Sequence, residues 1–134
     1  MNKALKITVI FILIFFIVWK LQRFNKNPTI FYVKKPFGNF NGYILPPFGV
    51  VIKNTEKGNT DFLTHELTHW AQWRENGVLF LIDYYNQQNK NGYKLNKYEI
   101  EARKKSGESE YCQTNYTECV RSGEAKAHNP NFRK

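Results

Sequence analysis

Residues 7–19 form an apolar run interrupted only by Thr8, and Ala4, Leu5 and Leu21 extend it. That reaches the roughly 17 or more residues a helix needs to cross the hydrocarbon of a bilayer. A segment this apolar cannot join the core of a small soluble domain. A chain of 134 residues therefore has room for one such domain beside it. A cleaved signal peptide needs a small-residue site after its apolar stretch, and Trp19, Lys20, Leu21, Gln22, Arg23 and Phe24 provide none. Residues 1–24 thus read as an uncleaved transmembrane anchor, with the membrane engaged through residues 4–21. Trp19 suits the interface, and Lys20 and Arg23 can snorkel to the headgroups. The positive-inside rule does not choose a side, because Lys3, Lys6 and the amino terminus oppose Lys20, Arg23 and Lys26.

The formal charge of +9 would suggest a nucleic-acid partner if its residues shared one face. They do not cluster that way. The first 26 residues hold five basic side chains and no acid, and the remaining 15 basic and 11 acidic residues leave only +4. About half of the excess flanks the apolar run, where headgroup attraction accounts for it. No repeated interleaving of basic and aromatic residues accompanies the 16% aromatic content, so packing explains the aromatics and no nucleic-acid partner is expected. Cys112 and Cys119 lie in a polar tail without the CxxC spacing of zinc or redox sites, and either pair with each other or stay as two thiols. Asn115-Tyr116-Thr117 fits a glycosylation acceptor, which matters only in a secretory pathway.

Between anchor and tail, residues 25–106 read as one domain. Residues 29–33, 43–45 and 49–52 have the β-branched and aromatic density of short strands, separated by Pro36, Gly38, Gly42 and Pro46-Pro47. Thr60 is placed to cap a helix over 61–76, on which Leu63, Leu67 and Trp70 form an apolar stripe. Asn76-Gly77 ends it, a second helix follows over 78–89, and Asn91-Gly92 breaks that one. A third runs from Asn96 to about Lys105, with Asn96 and Glu99 spaced as a capping box. Residues 107–134 are polar and are expected to form a loosely held tail.

His65-Glu66-Leu67-Thr68-His69 is the constellation that carries chemistry by itself. Residues four apart are neighbours on a helix face, so His65 and His69 can bind one tetrahedral zinc ion while Glu66 projects beside the open coordination position as a general base. The motif lies inside a predicted capped helix with apolar residues to bury. Trp70 and Trp73 beside it read as packing. A catalytic zinc site generally takes a third protein ligand, and Glu99 and Glu101 are the downstream carboxylates. On a helix they point about 200° apart, so only one can face the histidines.

Glu99-Ile100-Glu101-Ala102 is where the chain resembles the gluzincin clan of zinc metallopeptidases, in which HExxH on one helix is completed by a glutamate from a later helix, often within ExEA. The likeness spans residues 49–105. It implies Glu99 as the third ligand and Ala102 as the small residue that lets the helices approach. It also implies that Val50-Val51-Ile52, the strand before the active helix, pairs with an extended peptide or protein substrate. Many gluzincins carry an aspartate four residues beyond the third ligand to orient an imidazole, and Arg103 stands there instead. Tyr93, Arg103 and His128 are the candidate oxyanion donors by chemistry alone.

The expected architecture is an α+β, zincin-like domain, with a short antiparallel sheet and active-site helices, behind an N-terminal transmembrane helix. The implied function is zinc-dependent hydrolysis of peptide bonds at the membrane, with Zn2+ on His65, His69 and Glu99 and with Glu66 catalytic. Two other readings stand beside it: a non-catalytic, zinc-stabilised, membrane-tethered binding domain, and a small membrane-active protein in which HExxH is accidental. Metal content separates the last from the others, and peptide turnover separates the first two.

Overall fold

A computed structural model describes residues 2–107 and Glu118. Cys112, Cys119, Asn115, His128 and nearly all of the tail lie outside the described residues. The chain is mixed helix and strand. Helix α1, Lys3–Gln22, starts where the Asn2 side chain accepts from the Ala4 amide, and none of its residues is buried. At 20 residues it spans about 30 Å and is long and apolar enough to cross a membrane.

Strands β1 (Ile30–Val33), β2 (Gly42–Leu45) and β3 (Gly49–Lys53) form one sheet in the order β1-β3-β2. The sheet is mixed, which corrects the antiparallel expectation: β2 pairs antiparallel with β3, but β1 runs parallel to it, with Ile30 opposite Val50 and Val33 opposite Lys53. The reason is the connection. Residues 34–48 contain all of β2, which runs opposite to β1 at the far edge of the sheet, and the tight turn through Pro46-Pro47 then reverses the chain so that β3 enters between the two, parallel to β1. As the central strand β3 buries Val50, Val51 and Ile52, the continuous apolar run expected of a strand covered on both faces.

Helix α2, Thr60–Asn76, is capped by Asn59 rather than Thr60: the Asn59 carboxamide oxygen accepts from the Phe62 amide at 3.2 Å. Its buried face includes the expected stripe of Leu63, Leu67 and Trp70 and extends past it. Leu63 and Leu67 are only half-buried, while Phe62, Trp70 and Trp73 enter the core with Val50, Ile52 and Phe80. The helix is enclosed on two sides, by the sheet and by the helices that follow, so its buried arc is wider than a single apolar stripe and takes in polar residues.

Gly77 ends α2 at φ 61, a left-handed conformation that glycine adopts without the strain of a side chain, and its amide donates to the Trp73 carbonyl. Helix α3, Val78–Leu95, outruns the expected limit at residue 89 but is interrupted at Gly92, whose φ of 73 is not helical. Helix α4, Lys97–Lys105, begins at Asn96, whose side chain accepts from the Tyr98 amide.

The end of α1 is joined to the end of α2. The Trp19 ring meets the Trp73 ring edge to face at 5.2 Å between centroids. Arg23 donates to the Arg74 and Glu75 carbonyls at 3.0 and 2.9 Å, Arg74 donates back to the Arg23 carbonyl at 2.7 Å, and the Trp70 indole donates to the Asn25 carbonyl at 2.9 Å.

Candidate metal centre

His65 and His69 lie one turn apart on α2, both buried, with their Nε2 atoms 3.1 Å apart. Glu99 reaches them from α4: Oε2 is 3.2 Å from His65 Nε2 and Oε1 is 3.2 Å from His69 Nε2. Four ligands at zinc bond lengths of about 2.0–2.1 Å sit about 3.3 Å from one another at the corners of a tetrahedron. The separation of the two Nε2 atoms is near that size, and each imidazole lies as close to a different one of the two Glu99 oxygens. Two imidazoles and a carboxylate, buried and converging on one point, fit a divalent metal ion both in donor chemistry and in spacing.

The local sequence explains why α4 presents Glu99. Asn96, fully buried, caps the helix with its oxygen and donates to the Tyr84 carbonyl with its amide nitrogen, fixing where the first turn begins. Glu99 is spaced to complete a capping box, yet its carboxylate turns to the imidazoles and accepts from the Tyr84 hydroxyl. Ala102 is fully buried where α4 packs on α2. Glu101 faces away: it is half exposed and pairs with Lys105 at 2.9 Å.

Gln72 orients the His69 ring. Its amide nitrogen donates to two groups that can only accept, the Tyr98 carbonyl at 3.1 Å and Glu101 Oε2 at 2.9 Å. That orientation leaves Oε1 facing His69 Nδ1 at 2.8 Å, so Nδ1 carries the hydrogen and Nε2 is the atom available to a metal. Glu101 thus serves the site one step removed from it. Arg103 plays no such part: it is buried, donates to the Lys94 carbonyl at 2.7 Å and lies over the Tyr93 ring.

Without a metal the charges are sharply coupled. Burial opposes ionisation of Glu99, but His69 and His65 outweigh it and hold the carboxyl well below its usual range. Burial also opposes a charge on His69, but Glu99, Glu66 and Gln72 raise it to about 9. His65 is held below its ordinary value, mainly by burial. Glu66 is pushed up to about 7 by burial, with His69 pulling it down and Glu99 pushing it up. The Tyr84 hydroxyl is driven well above its ordinary value by burial and by Glu99, so it stays a donor.

A cavity of about 400 Å³ opens over these groups, and His65, Glu66, His69, Tyr84 and Glu99 all line it. Its other walls are mostly apolar: Phe37, Phe40, Ile44, Phe80 and Leu81 among them. Gly42 on β2 lies close against α2, where a β-carbon would come within 2.7 Å of the Phe62 ring and 3.1 Å of Glu66 Oε1. Only glycine lets the strand backbone approach the glutamate this closely.

No family model, curated protein or solved structure matches the chain. The gluzincin likeness therefore rests on these residues. One of its implications needs correction: β3 cannot pair with an extended substrate, because β1 and β2 already occupy both of its edges. Among the described residues, the unpaired edge beside the cavity belongs to β2, whose Gly42, Tyr43 and Ile44 line the cavity. Of the oxyanion candidates, Tyr93 lines the cavity and Arg103 does not. Tyr84 and Gln72 carry no sequence signal of these roles. Tyr84 sits four residues after Phe80 and reads as core packing, and neither residue belongs to a motif.

Proposed function

We propose that this chain is a membrane-anchored, zinc-dependent hydrolase of peptide bonds, held in the bilayer by α1. The observation that carries the reading is Glu66. It is buried on the same helix face as two converging imidazoles and lines the same cavity. A structural zinc site has no use for such a residue, and desolvating a carboxylate without one is costly.

His65, His69 and Glu99 would hold the ion, which when bound supplies Lewis-acid polarisation of a water molecule and of the scissile carbonyl. The chain's own residues do the rest. Glu66 accepts a proton from the attacking water and returns it to the leaving amine. Tyr84, whose hydroxyl lines the site and donates to Glu99, would donate to the developing oxyanion once a substrate displaces that hydrogen bond. Gln72 fixes the His69 ring. The outer edge of β2 offers main-chain groups to an extended peptide lying across the cavity, and the aromatic and aliphatic walls favour apolar side chains.

The test uses the full chain in detergent, loaded with zinc and presented with a quenched fluorescent peptide library. Glu66→Gln should keep its zinc and lose turnover by about two orders of magnitude or more, the contribution of a general base. Zinc binding by the unmutated chain without any turnover would instead establish the non-catalytic, zinc-stabilised domain.

A further inference from the structure

We propose that the first two turns of α3 form a second membrane attachment, with Val78, Leu79, Ile82 and Tyr85 lying in the headgroup and upper acyl region of the bilayer that α1 enters. The proposal rests on the reading of α1 as an anchor. Three observations carry it.

The first is exposure. Val78, Leu79, Ile82 and Tyr85 are 54%, 68%, 54% and 66% exposed. Positions 78, 82 and 85 follow helical spacing, so the side chains share one face. This is a contiguous apolar surface rather than scattered single residues.

The second is place. Val78 directly follows Gly77, and a β-carbon on Gly77 would lie 3.3 Å from Arg23 Nη1. Arg23 is the residue that ends α1, and it clasps the last carbonyls of α2. The apolar start of α3 is thereby fixed beside the point where the membrane-crossing helix meets the domain. Leu21 and Phe24, 64% and 81% exposed, add apolar surface at the same junction.

The third is polarity along α3. After Tyr85 its sequence turns to Asn86, Gln87, Gln88, Asn89 and Lys90. The apolar face is confined to the end nearest α1, as a helix entering an interface at that end requires. Lys20 and Lys26 flank the same junction in the sequence and suit anionic headgroups. Leu81, between Leu79 and Ile82, lines the cavity, so this attachment also brings the cavity wall to the lipid surface.

The experiment places the full chain, with Cys112→Ser and Cys119→Ser, in vesicles of three parts phosphatidylcholine to one part phosphatidylglycerol. A nitroxide is attached through Leu79→Cys, Ile82→Cys or, as a control, Gln87→Cys. Labels at 79 and 82 should be relaxed more by oxygen than by a water-soluble nickel chelate, with the order reversed at 87. Zinc retention by each labelled chain checks the fold. A chain that floats with the vesicles after a high-salt wash, but whose labels at 79 and 82 meet the nickel chelate freely, overturns this proposal and leaves the anchor standing. Labels shielded from both reagents overturn it in favour of a second copy of the chain on this face. A chain that does not float overturns the anchor and this proposal together.

Discussion

The two halves of α2 do different work with the same backbone. From Phe62 to His69 the helix buries polar groups, and its partners are the Glu99 carboxylate and the cavity. From Trp70 to Gly77 it buries two indoles, and its partners are Trp19, Arg23 and Asn25 at the end of α1. Gln72 is the one residue of the second half that turns back to serve the first. The first half is specified by chemistry that must converge on a point. The second is specified by bulk and by the need to satisfy helix-end carbonyls, so changes in one half should be felt in the other only through Gln72.

The largest effect should come from Glu99. Glu99→Ala removes one of three ligands and should weaken zinc binding by about two orders of magnitude or more, as read by competition with a fluorescent chelator. Glu101→Ala should cost far less, because its carboxylate reaches the site only through Gln72. Loss of zinc in the Glu101 variant alone would overturn the ligand assignment.

Gln72→Leu comes next. It keeps the volume but removes the acceptor that fixes the His69 tautomer, and loss of such a partner costs about 10–100-fold in metal affinity. Unchanged affinity would mean that packing against Phe80 and Tyr84 is enough to orient the ring.

What could be read from the sequence divides along the same line. HExxH, the Asn96 cap and the break at Gly92 are local signals, each set by residues within a few positions of one another, and the structure shows helices built on them. Strand positions were legible for the same reason, but the parallel pairing of β1 was not, since nothing in residues 30–33 encodes which strand they meet. The stripe of Leu63, Leu67 and Trp70 does face the core, but Phe62 joins it unannounced, because a single apolar period cannot register a helix enclosed on two sides. Gln72 and Tyr84 acquire their roles only from α4, 26 and 15 residues away.

The raised value at His69 gives a pH prediction. In the metal-free chain this group contributes stability that is fully present below about 6.5 and is lost as the pH rises through about 9. Zinc must displace that proton. Affinity should therefore climb about tenfold per pH unit from neutrality and level off near pH 9. His65 and Glu99, both shifted down, release nothing there. Calorimetry at pH 8 in buffers of different ionisation enthalpy should report about one proton per zinc. Release of none would place the proton elsewhere in the cluster.

The smallest effect should be at the junction with α1. Arg23 places a cation at the C-terminal end of α2, where the helix dipole favours it, and donates to the Arg74 and Glu75 carbonyls. In Arg23→Ala those two acceptors become free, but the contacts are only partly shielded from solvent, so water can replace the lost donor at one of them. Trp19 on Trp73 and the Trp70 indole on the Asn25 carbonyl still hold the two helices together. The cost should be about 1 kcal/mol in unfolding free energy, read by denaturant titration of the full chain in detergent, with zinc affinity unchanged. If zinc affinity falls as well, the end of α2 communicates with His65 and His69 along the helix by a route other than Gln72. The two halves would then form one mechanical unit.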